Sequence, residues 1–193
     1  MSIKREKTRA SLLEAAWKRL EQGDEAKLED VGHDVGVSRQ AVYLHFGSRG
    51  GMLLALVAYI DEKLGLHQQI RATQALADPV EQLEATLRMT ASYEPKIHGV
   101  AMALFRLAAA DADVRAAIDD RMQHRRRGIA QIVKRLSSTS RLREEWSVGE
   151  IADALWEASA PYSYEALVVE RDWKPARFAE WLVWLARSFL RPR

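Results

Sequence analysis

Apolar positions recur along the chain at three- and four-residue steps, and no run of them alternates between hairpin turns, so the pattern predicts an all-α fold. Leu13, Ala16, Trp17 and Leu20 form one stripe and predict a first helix from Lys4 to Gln22, ending at Gly23-Asp24. Leu28, Val31, Gly32 and Val35 repeat the spacing in a shorter second helix. Gly36 is suited to close it, because glycine takes the left-handed conformation without strain. Ser38 is then a good N-cap for a third helix, whose Val42 and Phe46 lie four residues apart and can meet the first two stripes.

Beyond "FGS", the stripe Met52, Leu53, Leu56, Val57 and Ile60 predicts a fourth helix reaching about His67, with a connector at "ATQALADP". Pro79 suits the first turn of a fifth helix carrying Val80, Leu83, Leu87 and Tyr93, and "KIHGVAMALFRLAAADADV" reads as the start of a separate one. A longer helix holds Val114, Ile118, Met122, Ile129, Val133 and Leu136 before the polar loop "SSTSRLREE". Two more follow: Val148 to Val169, interrupted at Pro161, and Ala176 to Leu190.

Composition narrows the chemistry. A chain of 193 residues can bury a core without crosslinks, and the absence of cysteine excludes thiol catalysis, disulfides and thiolate metal sites. The charged opening "MSIKREKTRASLLEAAW" lacks the apolar region of a secretory signal, and "MLLALVAYI" falls far short of the roughly 20 residues that span a bilayer. A cytoplasmic location and no membrane partner are therefore expected. The formal net charge of +2 is too mild to indicate a partner, but "IKREKTR" sets four cations against one acid near the N-terminus. None of His33, His67, His98 and His124 has a second histidine at i+3 or i+4, so no metal or other cofactor is expected. "GSRGG" lacks the preceding strand and the Lys-Ser/Thr ending of a phosphate-binding loop, and "HRRRG" reads as the solvated face of a long helix. Asp119-Asp120 and Glu144-Glu145 diverge on a helix, and no nucleophile–base pair is apparent, so an enzyme is not expected.

The third helix is different. On a helical wheel Gln40 and Leu44 lie opposite Val42 and Phe46, which separates a packed face from an offered one. A helix, a tight glycine turn and a second helix divided in this way describe a helix-turn-helix, which puts its N-terminal residues against base edges in the major groove. Arg39 can pair with guanine and Gln40 with adenine, while Ala41 or Leu44 can touch a thymine methyl. Tyr43, His45 and Arg49 flank them as candidates for phosphate.

The segment "LEDVGHDVGVSRQAVYLHFGSRGGML" resembles the N-terminal DNA-binding domain of TetR-family transcriptional regulators, over about residues 8 to 60. The Gly-Val-Ser turn, the Tyr-x-His-Phe helix end and the following Gly-Ser-basic cap stand at family spacing. Two positions depart from it: Gly32 replaces a common alanine, and Gly50-Gly51 stands where acids are frequent, which leaves Ser48 without a capping box. A weaker resemblance covers "ALWEASAPYSYEALVVERDWKPARFAEWLVWLARSFL", with Pro175 at a family position, Asp172 at a usual glycine site and Lys174 at a usual Ser/Thr cap.

The resemblance implies a DNA-binding domain at residues 1–48 and a helical effector-binding and dimerisation domain at residues 49–193. It further implies a homodimer on double-stranded, near-palindromic operator DNA, acting as a repressor released by a small-molecule effector. Met89, Tyr93, Met102, Phe105 and Trp156 are the candidate effector pocket, with His98 and Arg106 as polar groups that either orient a ligand or pack against a neighbouring acid. Leu155, Tyr162, Phe178, Trp181, Leu182, Leu185 and Phe189 are the candidate dimer interface, since so broad an apolar surface needs covering by its own subunit and by another. The competing reading is a helical small-molecule-binding protein or enzyme that retains a vestigial helix-turn-helix.

Overall fold

The computed structural model describes residues 3–191, and every regular element among them is helical. The chain divides into two compact units, one of residues 1–64 and 99–118, the other of residues 65–98 and 119–193.

The first unit contains α1 (Ile3–Glu21), α2 (Leu28–Val35), α3 (Arg39–Phe46) and α4 (Arg49–Lys63), with the end of α6 (Pro79–Leu107) and the start of α7 (Ala112–Ser137). Leu12, Leu13, Ala16 and Leu20 of α1, Val31 of α2, Val42 of α3 and Leu53, Leu56 and Ile60 of α4 are buried. Between α2 and α3, Gly36 takes φ +75°, and the N–H groups of Gly36 and Val37 donate to the carbonyls of His33 (3.1 Å) and Gly32 (2.9 Å). Orphan carbonyls of α2 are thereby satisfied within a very short turn. Gly32 permits that turn: a Cβ there would stand 2.8 Å from the Val37 carbonyl oxygen and 3.1 Å from a Val42 methyl. Its departure from alanine is a requirement of close approach.

The second unit contains α5 (Leu66–Gln74), residues 79–98 of α6, residues 119–137 of α7, α8 (Val148–Ala158), the single turn α9 (Pro161–Tyr164), a π turn at Glu165–Val169, and α10 (Pro175–Ser188). One apolar cluster joins Leu83, Leu87, Val133, Leu136, Ile151, Leu155, Phe178 and Leu182. Ser147 opens α8 with a complete capping box: its Oγ accepts from Glu150 N (3.2 Å), and Glu150 Oε2 accepts from Ser147 N (2.8 Å). Asp172 adopts φ +55°, the conformation for which glycine is usual, and Pro175 occupies the first turn of α10 behind a Lys174 that makes no side-chain cap.

Two boundaries differ from expectation. The fourth helix stops at Lys63 rather than near His67, because Gly65 takes φ +63°, and a new helix then absorbs the "ATQ" of the supposed connector. The break expected before "KIHGV" is absent, and α6 runs through Pro95. Proline removes one intrahelical hydrogen bond. The stripe Leu83, Leu87, Ala91 and Ile97 nonetheless stays in phase across it and is buried, which outweighs the local loss.

Candidate nucleic-acid interface

α3 is fixed at both ends. At its start Ser38 adopts an extended conformation and its Oγ accepts from Ala41 N at 3.2 Å. At its end two arginines of α1 reach the last carbonyls: Arg5 donates to Leu44 O (3.5 Å) and Arg9 to His45 O (3.4 Å), while the Arg9 guanidinium lies 4.6 Å from the centre of the Phe46 ring. These cations meet the negative end of the helix dipole. Phe46 is consequently only half-buried, capped by Arg9 rather than enclosed by the core.

Between these clamps the two faces separate as the periodicity implies. Val42 is fully buried; Leu44 is 67 % exposed and Tyr43 52 % exposed, and Arg39 and Gln40 are open to solvent. Ala41 and His45 are half-buried. Arg39 Nε lies 3.5 Å from Glu29 Oε2, both side chains being well exposed, a pairing weak enough to exchange for another partner. Burial, then the charges of Arg5 and Arg9, hold the His45 imidazole below its ordinary pKa. Arg49 is half-buried and its Nε donates to Ala26 O at 3.1 Å, bracing the α1–α2 loop. Ser48 caps α4 by accepting from Gly51 N at 2.9 Å, and a Cβ on Gly51 would stand only 2.2 Å from the Phe46 carbonyl oxygen. An acid at residue 51 is thus barred by geometry.

Beside this surface, Ile3, Lys4, Lys7, Thr8, Ser11, Val35 and Val37 line an open groove of about 560 Å³. Its two lysines, with Arg5 and Arg9, are functional candidates that motif reading passed over. The cationic run "IKREKTR" is their only trace in the sequence.

The remaining candidates are distributed between the units. Met89, Tyr93 and Trp156 belong to the second, and Met102 and Phe105 to the first. Tyr93 is buried, and Trp156 Nε1 donates to Met122 O at 3.1 Å. Of the candidate dimer residues, Leu155, Phe178, Leu182 and Phe189 are buried in the core of their own unit. The same chain covers their apolar area. Trp181 and Leu185 remain half-buried and Tyr162 exposed. Trp184, 64 % exposed, and Val169 are also exposed, and neither is among the candidate interface residues read from the sequence. Among the described residues, no group of three or more His, Cys, Asp or Glu side chains is placed to hold a metal ion, and no single helix is long and apolar enough to cross a membrane.

A glycine-turned helix pair with one helix clamped and half offered, followed by a larger set of helices, defines a helix-turn-helix protein of two units. The fold is that of TetR-family transcriptional regulators. A transcriptional regulator from Saccharomonospora viridis, solved in complex with choline, superposes with a TM-score of 0.80 at 17% identity, covering 97% of this chain and 100% of that one. A TetR transcription regulator from Haloarcula marismortui gives 0.77 at 12% identity, covering 96% and 100%. A TetR-family regulator from Pectobacterium atrosepticum gives 0.64 at 22% identity, covering all of both chains. No protein-family model and no curated protein sequence matches the chain.

Proposed function

We propose that this protein is a dimeric, DNA-binding transcriptional regulator, a repressor released from a palindromic operator by a small molecule, with residues 1–48 as the DNA-reading part and residues 49–193 for sensing and dimerisation. The observation that carries the reading is the exposed face of α3, with Arg39, Gln40, Tyr43 and Leu44 outward while Val42 anchors the helix from behind. In this role Arg39 and Gln40 read bases, Ala41 and Leu44 contact thymine methyls, and Tyr43, His45 and Arg49 meet phosphates. Lys4 and Lys7 add charge for the backbone. The fold shared with regulators, one of them holding choline, supports both a DNA partner and a small-molecule effector.

Two recognition helices engage one operator only when their spacing matches the groove repeat, about 34–36 Å or a multiple of it. An effector that favours another spacing weakens DNA binding, and DNA weakens effector binding by the same factor. The test is selection of sites from random duplexes with the purified protein, followed by titration at increasing salt. Enrichment of a two-fold symmetric sequence, with affinity falling steeply as salt rises, supports the proposal. Failure to retain any duplex at low ionic strength overturns it, and turnover of a bound metabolite would favour the vestigial-domain reading.

A further inference from the structure

A buried titratable cluster belongs wholly to the unit of residues 65–98 and 119–193, and the DNA-binding reading makes no use of it. His98 of α6, its side chain 14 % exposed, faces two carboxylates. Its Nε2 is hydrogen-bonded to Glu165, the first residue of the π turn, and its Nδ1 lies 3.8 Å from Glu94 Oε1, one turn earlier on α6. Glu94 is only 3 % exposed, and neither its Oε1 nor His98 Nδ1 has a hydrogen-bond partner among the described residues. Tyr164 of α9 lies against the imidazole, ring centres 5.0 Å apart. From α7, Arg125 sets its charge toward Glu94 and donates to Ser159 O at 2.5 Å.

The chemistry of imidazole decides what this arrangement does. A neutral ring carries one N–H and can donate to only one of the two carboxylates, whereas an imidazolium donates from both nitrogens. A buried carboxylate without a donor is costly. The segment facing His98 is also weakly built, because α9 is a single turn and the π turn after it is a rare geometry found mostly at functional sites.

We propose that His98 is a proton-operated clamp: protonated, it holds the π turn to α6 through a charged bond to Glu165 while its second N–H faces Glu94 on its own helix, and on losing its proton it gives up that charge, leaves one carboxylate without a donor, and loosens the segment 161–169. The surrounding charges agree. Burial alone would lower the His98 pKa, but Glu94 and Glu165 outweigh it and raise the value above the ordinary 6.5. Burial lowers the Arg125 pKa, with Glu94 opposing, and burial together with Glu94 pushes the Tyr164 hydroxyl upward, keeping it protonated. Because the folded-state pKa of His98 is raised, its stabilisation is complete below about 6.5 and is lost as pH climbs through the folded-state value. The clamp therefore closes on the acidic side and opens on the alkaline side.

The test is a proton NMR titration of the full chain across roughly pH 5–9, with the His98 signal assigned by its loss in His98→Gln. It is run beside amide hydrogen exchange over residues 161–169, corrected for the intrinsic pH dependence of exchange. The expected result is a His98 midpoint above 6.5, a downward shift of that midpoint in Glu165→Gln, and protection at 161–169 that falls through the midpoint in the wild type but not in His98→Gln. Should His98→Gln fail to fold, the His98 signal is assigned through its backbone resonances in isotope-labelled wild-type protein, and the Glu165→Gln shift still decides. A midpoint at or below the ordinary value, a midpoint indifferent to Glu165→Gln, or protection that ignores the titration overturns the proposal. None of these readouts depends on DNA, so the clamp and the regulator reading can fail separately.

Discussion

Gly32 carries a penalty in helix propensity of up to about 1 kcal/mol relative to alanine, yet its added methyl would press on backbone at 2.8 Å. The clash wins, because the Val37 carbonyl belongs to a hydrogen-bonded turn that cannot swing aside. Gly32→Ala is expected to lower stability by roughly 1–3 kcal/mol, read as a reduced midpoint in urea with an unchanged slope. Arg39 behaves oppositely, being exposed and paired only with an exposed Glu29. Arg39→Ala should leave the urea midpoint where it is and relax discrimination at one base pair, by about 1–3 kcal/mol in competition binding. His45 offers a neutral ring N–H at neutral pH, since burial and the arginines depress its pKa. Any gain in DNA affinity from its protonation should emerge only below about pH 6.5. A gain centred above that value would contradict the environment described for it.

α3 depends on α1 for its placement. Arg9 both donates to the His45 carbonyl and covers Phe46, a combination that needs the planar guanidinium. Arg9→Lys keeps the charge and loses that fit, so DNA affinity should fall while the slope of affinity against salt stays as in the wild type. Lys7→Ala, in the open groove, should instead reduce the salt slope by about one phosphate contact. If Arg9→Lys changed the slope and Lys7→Ala did not, the two assignments would have to be exchanged. The Ser38 cap was legible in the sequence because an N-cap acts on amides two or three residues away. The arginine caps were not, since 36 and 39 residues separate the partners and only folding brings them together.

Across the whole molecule, the periodic stripes told which residues avoid water but not which neighbour covers them. Leu182 and Trp184 sit two residues apart on one apolar helix, and only the packed unit shows that the first is enclosed and the second open. Leu182→Ala should cost about 2–5 kcal/mol of folding stability. Trp184→Ala should leave the fold intact and weaken self-association, read by sedimentation at several concentrations. Dissociation by Leu182→Ala at full stability would place Leu182 itself in the contact rather than in the core, and unaltered association in Trp184→Ala would remove the exposed face of α10 from the proposed dimer contact.

The all-α character, the first three helices, the glycine turn, the Ser38 cap and the division of α3 into inward and outward faces were determined by the sequence alone. Each rests on interactions within a few residues, so local spacing is sufficient to specify it. The continuity of α6 through Pro95, the arginines beneath α3, the burial of Leu155, Phe178, Leu182 and Phe189, and the meeting of His98 with Glu165 were decided only by tertiary structure. These depend on groups distant along the chain, whose desolvation and pairing acquire an energy only once the core has brought them into contact.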